Sequence, residues 1–374
     1  MKKGYKRLFI FEIIIIIIFL LSNFVSSVLS DYYKIIFILI LTILFKLLFG
    51  FEKDRNLYTK SICLEILICL LIYFLLYYLF GIIITFAKTN NYLTFNKILT
   101  VIIPLILTII FKEILRYMML KKSEGSKLLT VFTCFFFICF DLIGIINLSV
   151  FSSPYNVFTY IALTILPIIS KNIFCSYLSY KNGYKPVIIY LLIMNLYMYI
   201  IPIIPNPNEY LYSIIELIVP MIFLYRIYRF YKEDKDEEIV REYHKKSFSK
   251  LLLPTIVIII LVYLTSGYFY FHAIVVASGS MTPNISKGDV VIIEKIKNKR
   301  DIKVGTVIAY KYNNIIIVHR LVKKINVGDD IYYFTKGDAN KDIDNYKITE
   351  NMVIGVVNIE VPYIGYPTVW IKEL

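Results

Sequence analysis

Histidine is nearly absent from this chain of 374 residues; the three are His244, His272 and His319. Chemistry that needs an imidazole near neutral pH therefore has few places to occur. Cysteine is also scarce. Cys63, Cys69, Cys134, Cys139 and Cys175 all lie in or beside apolar runs, and none falls within 276–374. No two of them form a CxxC pair, so neither a disulfide framework nor a zinc site is supported, and buried thiols are the ordinary reading. Acidic residues are in deficit, 27 Asp and Glu against 41 Lys and Arg, for a net charge of +14. The excess is not a basic stripe with interleaved aromatics, so it does not point to nucleic acid. Nothing in the sequence implies a metal or a cofactor.

Apolar residues, by contrast, are in large excess. They make up 58% of the chain, and the mean hydropathy is +0.69, whereas a soluble domain is about 45–50% apolar. The chain is therefore expected to lie in a lipid bilayer, at least in part. The excess sits in residues 1–275, in long runs of Ile, Leu, Phe and Tyr, while 276–374 alternate apolar and charged residues. The latter stretch holds 14 Lys and Arg and 11 Asp and Glu, so most of the positive charge belongs to the apolar part.

A bilayer core of about 30 Å needs roughly 20 apolar residues per helix. Nine spans are expected, near 8–29, 34–50, 62–86, 98–117, 128–150, 157–175, 186–204, 210–227 and 251–273. Their connections alternate. "MKKGYKR", "FEKDRNLYTK", "KKSEGSK", "SYKNGYK" and the long 226–250 segment are basic, whereas "SDYYK", "KTNNYLTFNK", "SSPYN" and "PNPNE" are nearly neutral or polar. Positive loops stay inside, so the N-terminus is expected in the cytoplasm and 276–374 outside, in a multi-pass protein of the cell membrane. The first span could instead be a cleaved leader, since "SSVLSD" (26–31) has small residues at a suitable spacing. Pro104, Pro167, Pro202 and Pro220 are expected to kink spans. Glu65, Asp141 and Glu216 lie inside apolar runs, where ionisable groups are costly and often functional; they either serve a transport or proton-relay role or have a structural or substrate-docking role, satisfied between helices or placed nearer an interface.

The domain reading is a multi-spanning part of unknown role (1–230), a charged cytosolic linker (231–250), a last span (251–273) and an all-β outer domain (274–374). Strands are expected from "DVVIIEKI" (289–296), "TVIAYKY" (306–312), "IIIVHRLVKKI" (315–325), "IYYFTKG" (331–337) and "NMVIGVVNIEV" (351–361), which are rich in β-branched and aromatic residues and separated by turn signals.

Where the last span ends, the chain reads "VVASGSMTPNISKGDVVIIEKI" (275–296). A small, hydroxyl-bearing turn at that place is either only a turn or a nucleophile held at the membrane surface. A serine attacks an amide only when a base takes its proton and donors stabilise the oxyanion. Ser280 is the candidate nucleophile, and His319 is the sole histidine of 276–374. His244 falls in the linker, and His272 is expected at the end of the last span. An imidazole base needs an acceptor to orient it; the loop "KGDANKDIDN" offers Asp338, Asp342 and Asp344. That loop could alternatively be a solvated turn or hold calcium, but it lacks the spacing of an EF-hand.

"SGSMTP" followed by "KGDVVII", "VHR" (318–320) and "TKGDANKDID" (335–344) resembles the type I signal peptidases, and the ending "VPYIGYPTVW" (361–370) looks like the tail of Gram-positive members. A histidine rather than a lysine before Arg320 matches the Ser-His class of the endoplasmic reticulum and archaea, also found in some Gram-positive bacteria. The resemblance covers about 260–374. It implies a membrane-bound serine endopeptidase that removes signal peptides from exported preproteins, on a β-rich catalytic domain, with secretion-machinery partners possible. It implies Ser280 as nucleophile, His319 as general base and Asp344 as the orienting acid. Asp338 is the other acid of that box, and Asp342 is an extra. Ser278 and the Ser280 N–H would serve the oxyanion hole, and Met281, next to the nucleophile, would belong to the oxyanion and substrate-binding part of the site. Gly279 would allow close backbone approach. Members of the family usually carry one or two spans, and residues 1–230 resemble no family. The rival reading is a polytopic transporter or receptor whose β-domain is a non-catalytic sensor.

Overall fold

The computed structural model describes residues 5, 7–15, 31–53, 58–89, 94–123, 126–142, 153–232, 237–296, 298–313, 315–327, 330–366 and 368–369, with backbone only at 31–34 and 237–249. The leader-like small residues at 26–30 lie outside the described residues, and the side chain of His244 is not described. The chain forms two compact units, Met1–Pro254 and Thr255–Leu374.

Nine helical segments are described. They are α1 (residues 7–15), α2 (Asp31–Phe49), α3 (Thr59–Ile84), α4 (Phe95–Lys122), α5 (Lys127–Leu142), α6 (Pro154–Asn182), α7 (Tyr184–Ile200), α8 (Glu209–Lys232) and α9 (Glu237–Thr265). By length and composition α3, α4, α6 and most of α8 are able to cross a membrane, and stretches of α2, α7 and α9 are shorter apolar helices. A small antiparallel pair, β1 (Phe86–Lys88) and β2 (Ile203–Pro205), joins the chain just past α3 to the chain just past α7.

Proline has less effect on the helices than expected. Pro104 and Pro167 each open a regular α segment directly after a five-residue π stretch, Ile98–Ile102 in α4 and Ile161–Ile165 in α6. A proline has no N–H to give to the preceding turn, and the wider π turn takes up the change of register. Pro220 lies inside α8. Pro202 lies beyond the end of α7 and kinks nothing.

The acids expected inside apolar runs are mostly paired. Glu65 accepts from Arg226 at 2.6 Å, and Asp141 lies against both Lys112 and Lys171. Arg116, fully buried, is held by Glu113, Asn172 and Ser176.

The second unit carries a seven-stranded, wholly antiparallel sheet in the order β3-β4-β9-β5-β6-β7-β8. The strands are β3 (Phe271–Val275), β4 (Val290–Glu294), β5 (Val307–Tyr312), β6 (Ile315–Val327), β7 (Asp330–Lys336), β8 (Ile348–Thr349) and β9 (Val353–Val361). Two apolar clusters fill it. One is built on Ile308, Tyr310, Leu321 and Tyr333; the other is built on Met281, Val291, Ile293 and Val318.

The end of the last apolar run differs from expectation. The helix stops at Thr265, and Gly267 takes φ +72, a left-handed conformation that suits glycine at a helix end. Residues 271–275 are a strand paired with β4, so His272 sits opposite Ile293 in a sheet, not at the end of a span. β3 was hidden because apolar residues resume directly after the short Thr265-Ser266-Gly267 break, so the strand reads as part of the helix's run.

Candidate functional site

The turn between β3 and β4 is anchored before it is reactive. Met281 has no exposed surface and packs in the second cluster with Val276 and Ile285. Its side chain thus serves as a buried anchor of the turn. Ile285 N–H donates to the Met281 carbonyl at 3.0 Å, and Thr282 Oγ1 donates to the Gly279 carbonyl at 2.8 Å. Buried Asp289 accepts from the Ser286 N–H at 2.7 Å and from the Tyr363 N–H at 3.1 Å, which joins the turn to the segment after β9. Above Gly279 the space is open: an added Cβ would meet nothing nearer than 3.9 Å. Ser280 stands on this anchored turn, half-buried, with the Ser278 hydroxyl 3.3 Å from its own.

His319 comes from β6, where it pairs with Ile308 of β5 and is 7% exposed. Its Nε2 lies 3.1 Å from Ser280 Oγ, and its Nδ1 lies 2.7 Å from Asp344 Oδ2. The second distance fixes the tautomer. A carboxylate cannot donate, so Nδ1 carries the proton, and in the neutral imidazole Nε2 is then the acceptor facing the serine hydroxyl.

The acidic loop is held by its own contacts. The Asp344 N–H donates to the Thr335 carbonyl at 2.9 Å. Asp338 receives a two-pronged contact from Arg320, Nε to Oδ1 at 2.8 Å and Nη2 to Oδ2 at 2.6 Å, and a third from Asn284 Nδ2 at 2.8 Å. Arg320 Nη1 also donates to the Gly305 carbonyl. The Arg320 guanidinium, by these hydrogen bonds, holds the Asp338 carboxyl below the usual carboxylate range. Asp338 therefore ties the loop to β6 and to the serine turn, and has no hydrogen bond to His319. Asp342 is exposed. At Gly337 the two segments touch: the Ala339 N–H donates to the Ser280 carbonyl at 3.0 Å, and an added Cβ at 337 would come within 2.6 Å of that oxygen.

Three residues around Asp344 had not been expected from the sequence. Thr335 Oγ1 lies 2.6 Å from Asp344 Oδ2 and 3.1 Å from the Tyr310 hydroxyl, which is 2.9 Å from the Tyr346 hydroxyl. A hydroxyl has one proton to give. The shortest contact assigns the Thr335 proton to Asp344 Oδ2, and the Tyr310 hydroxyl stands 3.3 Å from the same oxygen as a second donor. Two hydroxyls thus face the carboxylate, and in such networks each bond strengthens the others. Thr335 and Tyr310 are fully buried. Their spacing from Asp344 follows from strand pairing, and no local sequence pattern marks it.

The arrangement can do acyl transfer: a serine hydroxyl against an imidazole nitrogen, with the imidazole's other nitrogen on a buried carboxylate, is the set that activates serine. Residues 249–344, which hold all of these groups except Tyr346 and the tail contacts, match the family model described as signal peptidase, peptidase S26. The chain is similar to fungal proteins named signal peptidase complex catalytic subunit SEC11. Identity is 32% with that of Colletotrichum graminicola, 35% with that of Fusarium vanettenii and 36% with that of Sclerotinia sclerotiorum, each over 109 residues. Each alignment takes in 27% of this chain and 63% of the relative, so the chain spans under two thirds of the curated relatives it matches. The resemblance to type I signal peptidases read from the motifs is thus found independently by both comparisons, and the family model's match runs from within α9 through the acidic loop.

Proposed function

We propose that this protein is a membrane-bound serine endopeptidase that cleaves N-terminal signal peptides from exported preproteins. The observation that carries the reading is the unbroken chain Ser280–His319–Asp344, at 3.1 and 2.7 Å, on a turn anchored by a buried methionine. In the proposed reaction His319 Nε2 takes the Ser280 proton as Oγ bonds to the scissile carbonyl carbon. Asp344 holds the imidazolium that forms. The Ser278 hydroxyl and the Ser280 N–H are proposed as donors to the oxyanion. His319 then gives its proton to the leaving nitrogen, the C–N bond breaks, and the mature protein departs with a new amino terminus. Water, deprotonated by His319, hydrolyses the acyl-serine and frees the signal peptide. By resemblance to the family, small side chains are preferred on the acyl side, which selects chiefly by excluding bulk.

The wider setting is also proposed: nine spans, a cytoplasmic N-terminus, and an active site just outside the membrane, where the end of an inserted signal peptide emerges. The alternation of basic loops supports it. Secretion-machinery partners are part of the same proposal. Membranes containing the full chain should cleave a labelled preprotein, and Ser280→Ala and His319→Ala should each nearly abolish this while leaving protein levels intact. Because the members act as a unit, the double variant should be little worse than either single one. Full cleavage by Ser280→Ala would overturn the assignment. A folded wild-type chain that cleaves nothing would favour the sensor reading.

A further inference from the structure

Within the first unit, α3, α5, α6, α7 and α8 enclose a cavity of about 330 Å³. Its walls carry Asp141, Lys171 and Glu216, with the rings of Tyr73, Tyr197 and Tyr212. The charges there do not cancel locally. Asp141 of α5 lies against two ammonium groups, Lys112 and Lys171, the latter at 3.3 Å, and it also accepts from Asn172 at 2.9 Å. Nearby Arg116 and Glu113 neutralise one another at 2.8 Å. One wall is therefore left with one positive charge in excess, and Lys171 is the member of the pair with more exposed surface. Glu216 of α8 supplies the matching negative charge at a distance. Among the described residues no cation lies within ion-pair reach of it, though it is near enough to act on Lys171 electrostatically.

A cavity with opposite charges held apart in apolar helices is expensive unless something bridges them. The backbone beside it is irregular too. Ile161–Ile165 of α6 form a π stretch, a feature often found at functional sites, and two of its residues, Leu163 and Thr164, line the cavity. Ser213 of α8 donates to the Leu163 carbonyl at 3.1 Å, which caps one group that the altered register exposes.

We propose that this cavity binds a small zwitterion, its anionic group at Lys171 and its ammonium group at Glu216 among the tyrosine rings. A carboxylate or phosphate on one end and an amine on the other satisfies both walls at once, and tyrosine faces favour an ammonium ion. Neither end alone does so, because a lone cation or anion leaves the other wall uncompensated. The site is distinct from the serine site and does not depend on the peptidase reading.

The same chemistry occurs in a free amino acid and in an ethanolamine phospholipid headgroup, and the test separates them. The full chain is reconstituted in nanodiscs of phosphatidylglycerol alone, and binding of glycine, β-alanine and phosphoethanolamine is measured by calorimetry. At least one should bind tenfold or more tightly than methylammonium, acetate or inorganic phosphate. Glu216→Gln, which keeps the shape, should weaken that binding tenfold or more, and Lys171→Met should do the same. In nanodiscs containing phosphatidylethanolamine, loss of soluble binding in wild type identifies the headgroup as occupant; unchanged binding identifies a free zwitterion. The proposal is overturned if none of the three zwitterions binds at millimolar concentration, if a half-molecule binds as well, or if Glu216→Gln binds like wild type. Folding of each variant is checked by thermal melting, and Glu216→Gln decides if Lys171→Met is unstable.

Discussion

Replacing Thr335 by valine tests whether the hydroxyl chain behind Asp344 matters to turnover. The two side chains are nearly the same shape, so the fully buried site is neither opened nor overfilled. What disappears is the 2.6 Å donation to Asp344 Oδ2 and the 3.1 Å contact with the Tyr310 hydroxyl. A hydrogen bond to a charged group is worth about 1.5–3 kcal/mol. The Tyr310 hydroxyl, already 3.3 Å from the same oxygen, can move in as a partial substitute. The lower figure then applies, and about 1.4 kcal/mol is tenfold in rate. Thr335→Val should therefore lower kcat roughly tenfold with KM almost unchanged, because the residue meets His319's partner and not the substrate. Thr335→Ser, which keeps the hydroxyl, should stay within about threefold of wild type on the same bookkeeping. The assay is single-turnover cleavage of a fluorogenic signal-peptide substrate by the full chain in detergent, with melting curves for each variant. Wild-type kcat in Thr335→Val, or an equal loss in Thr335→Ser, would refute the reasoning, since neither fits a lost donor to a carboxylate.

Asp344→Asn should reduce kcat by orders of magnitude and KM little, whereas Asp342→Asn at its exposed position should be nearly silent; a sensitive Asp342 would show that a different carboxylate orients the base. Arg320→Met should destabilise the β unit in a pH-dependent way. Asp338 is held below its ordinary range by Arg320, so the stabilisation is present above that range and fades as pH falls through the lowered value; the melting gap between wild type and variant should close with acid, and a constant gap would sink the idea. Asn298→Cys, in a domain with no cysteine of its own, should react with a membrane-impermeant thiol reagent on intact cells. Protection until lysis would put the serine site in the cytoplasm and remove the peptidase proposal.

The parts of this protein that were legible in advance share one property, in that their signals are local. Helical segments α3, α4, α6 and α8 follow from runs of apolar residues longer than a soluble helix needs. Strands β4, β5, β6, β7 and β9 follow from β-branched and aromatic runs cut by turn residues. Ser280 and His319 could be singled out because residues 276–374 offer so few alternatives: one histidine, and one small-residue turn at their start. What could not be read is what depends on long-range pairing. β3 merged with the preceding helix because both are apolar. Thr335, Tyr310 and Tyr346 looked like ordinary strand and loop residues, and became partners of Asp344 only through the pairing of β5, β6 and β7. The Lys112–Asp141–Lys171 cluster joins α4, α5 and α6, and no spacing within one helix announces it.

The acidic loop shows why two carboxylates six residues apart need different surroundings. Asp338 meets a guanidinium with both oxygens and an amide with one, so its charge is fully used in holding Arg320 of β6 and Asn284 of the serine turn together. A carboxylate so engaged has little left with which to support an imidazolium. Among the described residues Asp344 has no cation beside it except the one that would form on His319, and its other partners, Thr335 and Tyr310, are neutral hydroxyls that orient it without neutralising it. Exchanging the two environments would abolish the division. A guanidinium at Asp344 would compete with His319 for the same oxygen, and hydroxyls at Asp338 would leave the serine turn without its charged tie to β6. Arg320 follows His319 directly in β6, and neighbouring strand residues point to opposite faces. One strand thus delivers the base to one acid and the arginine to the other, and the loop between Asp338 and Asp344 need only be long enough to reach both.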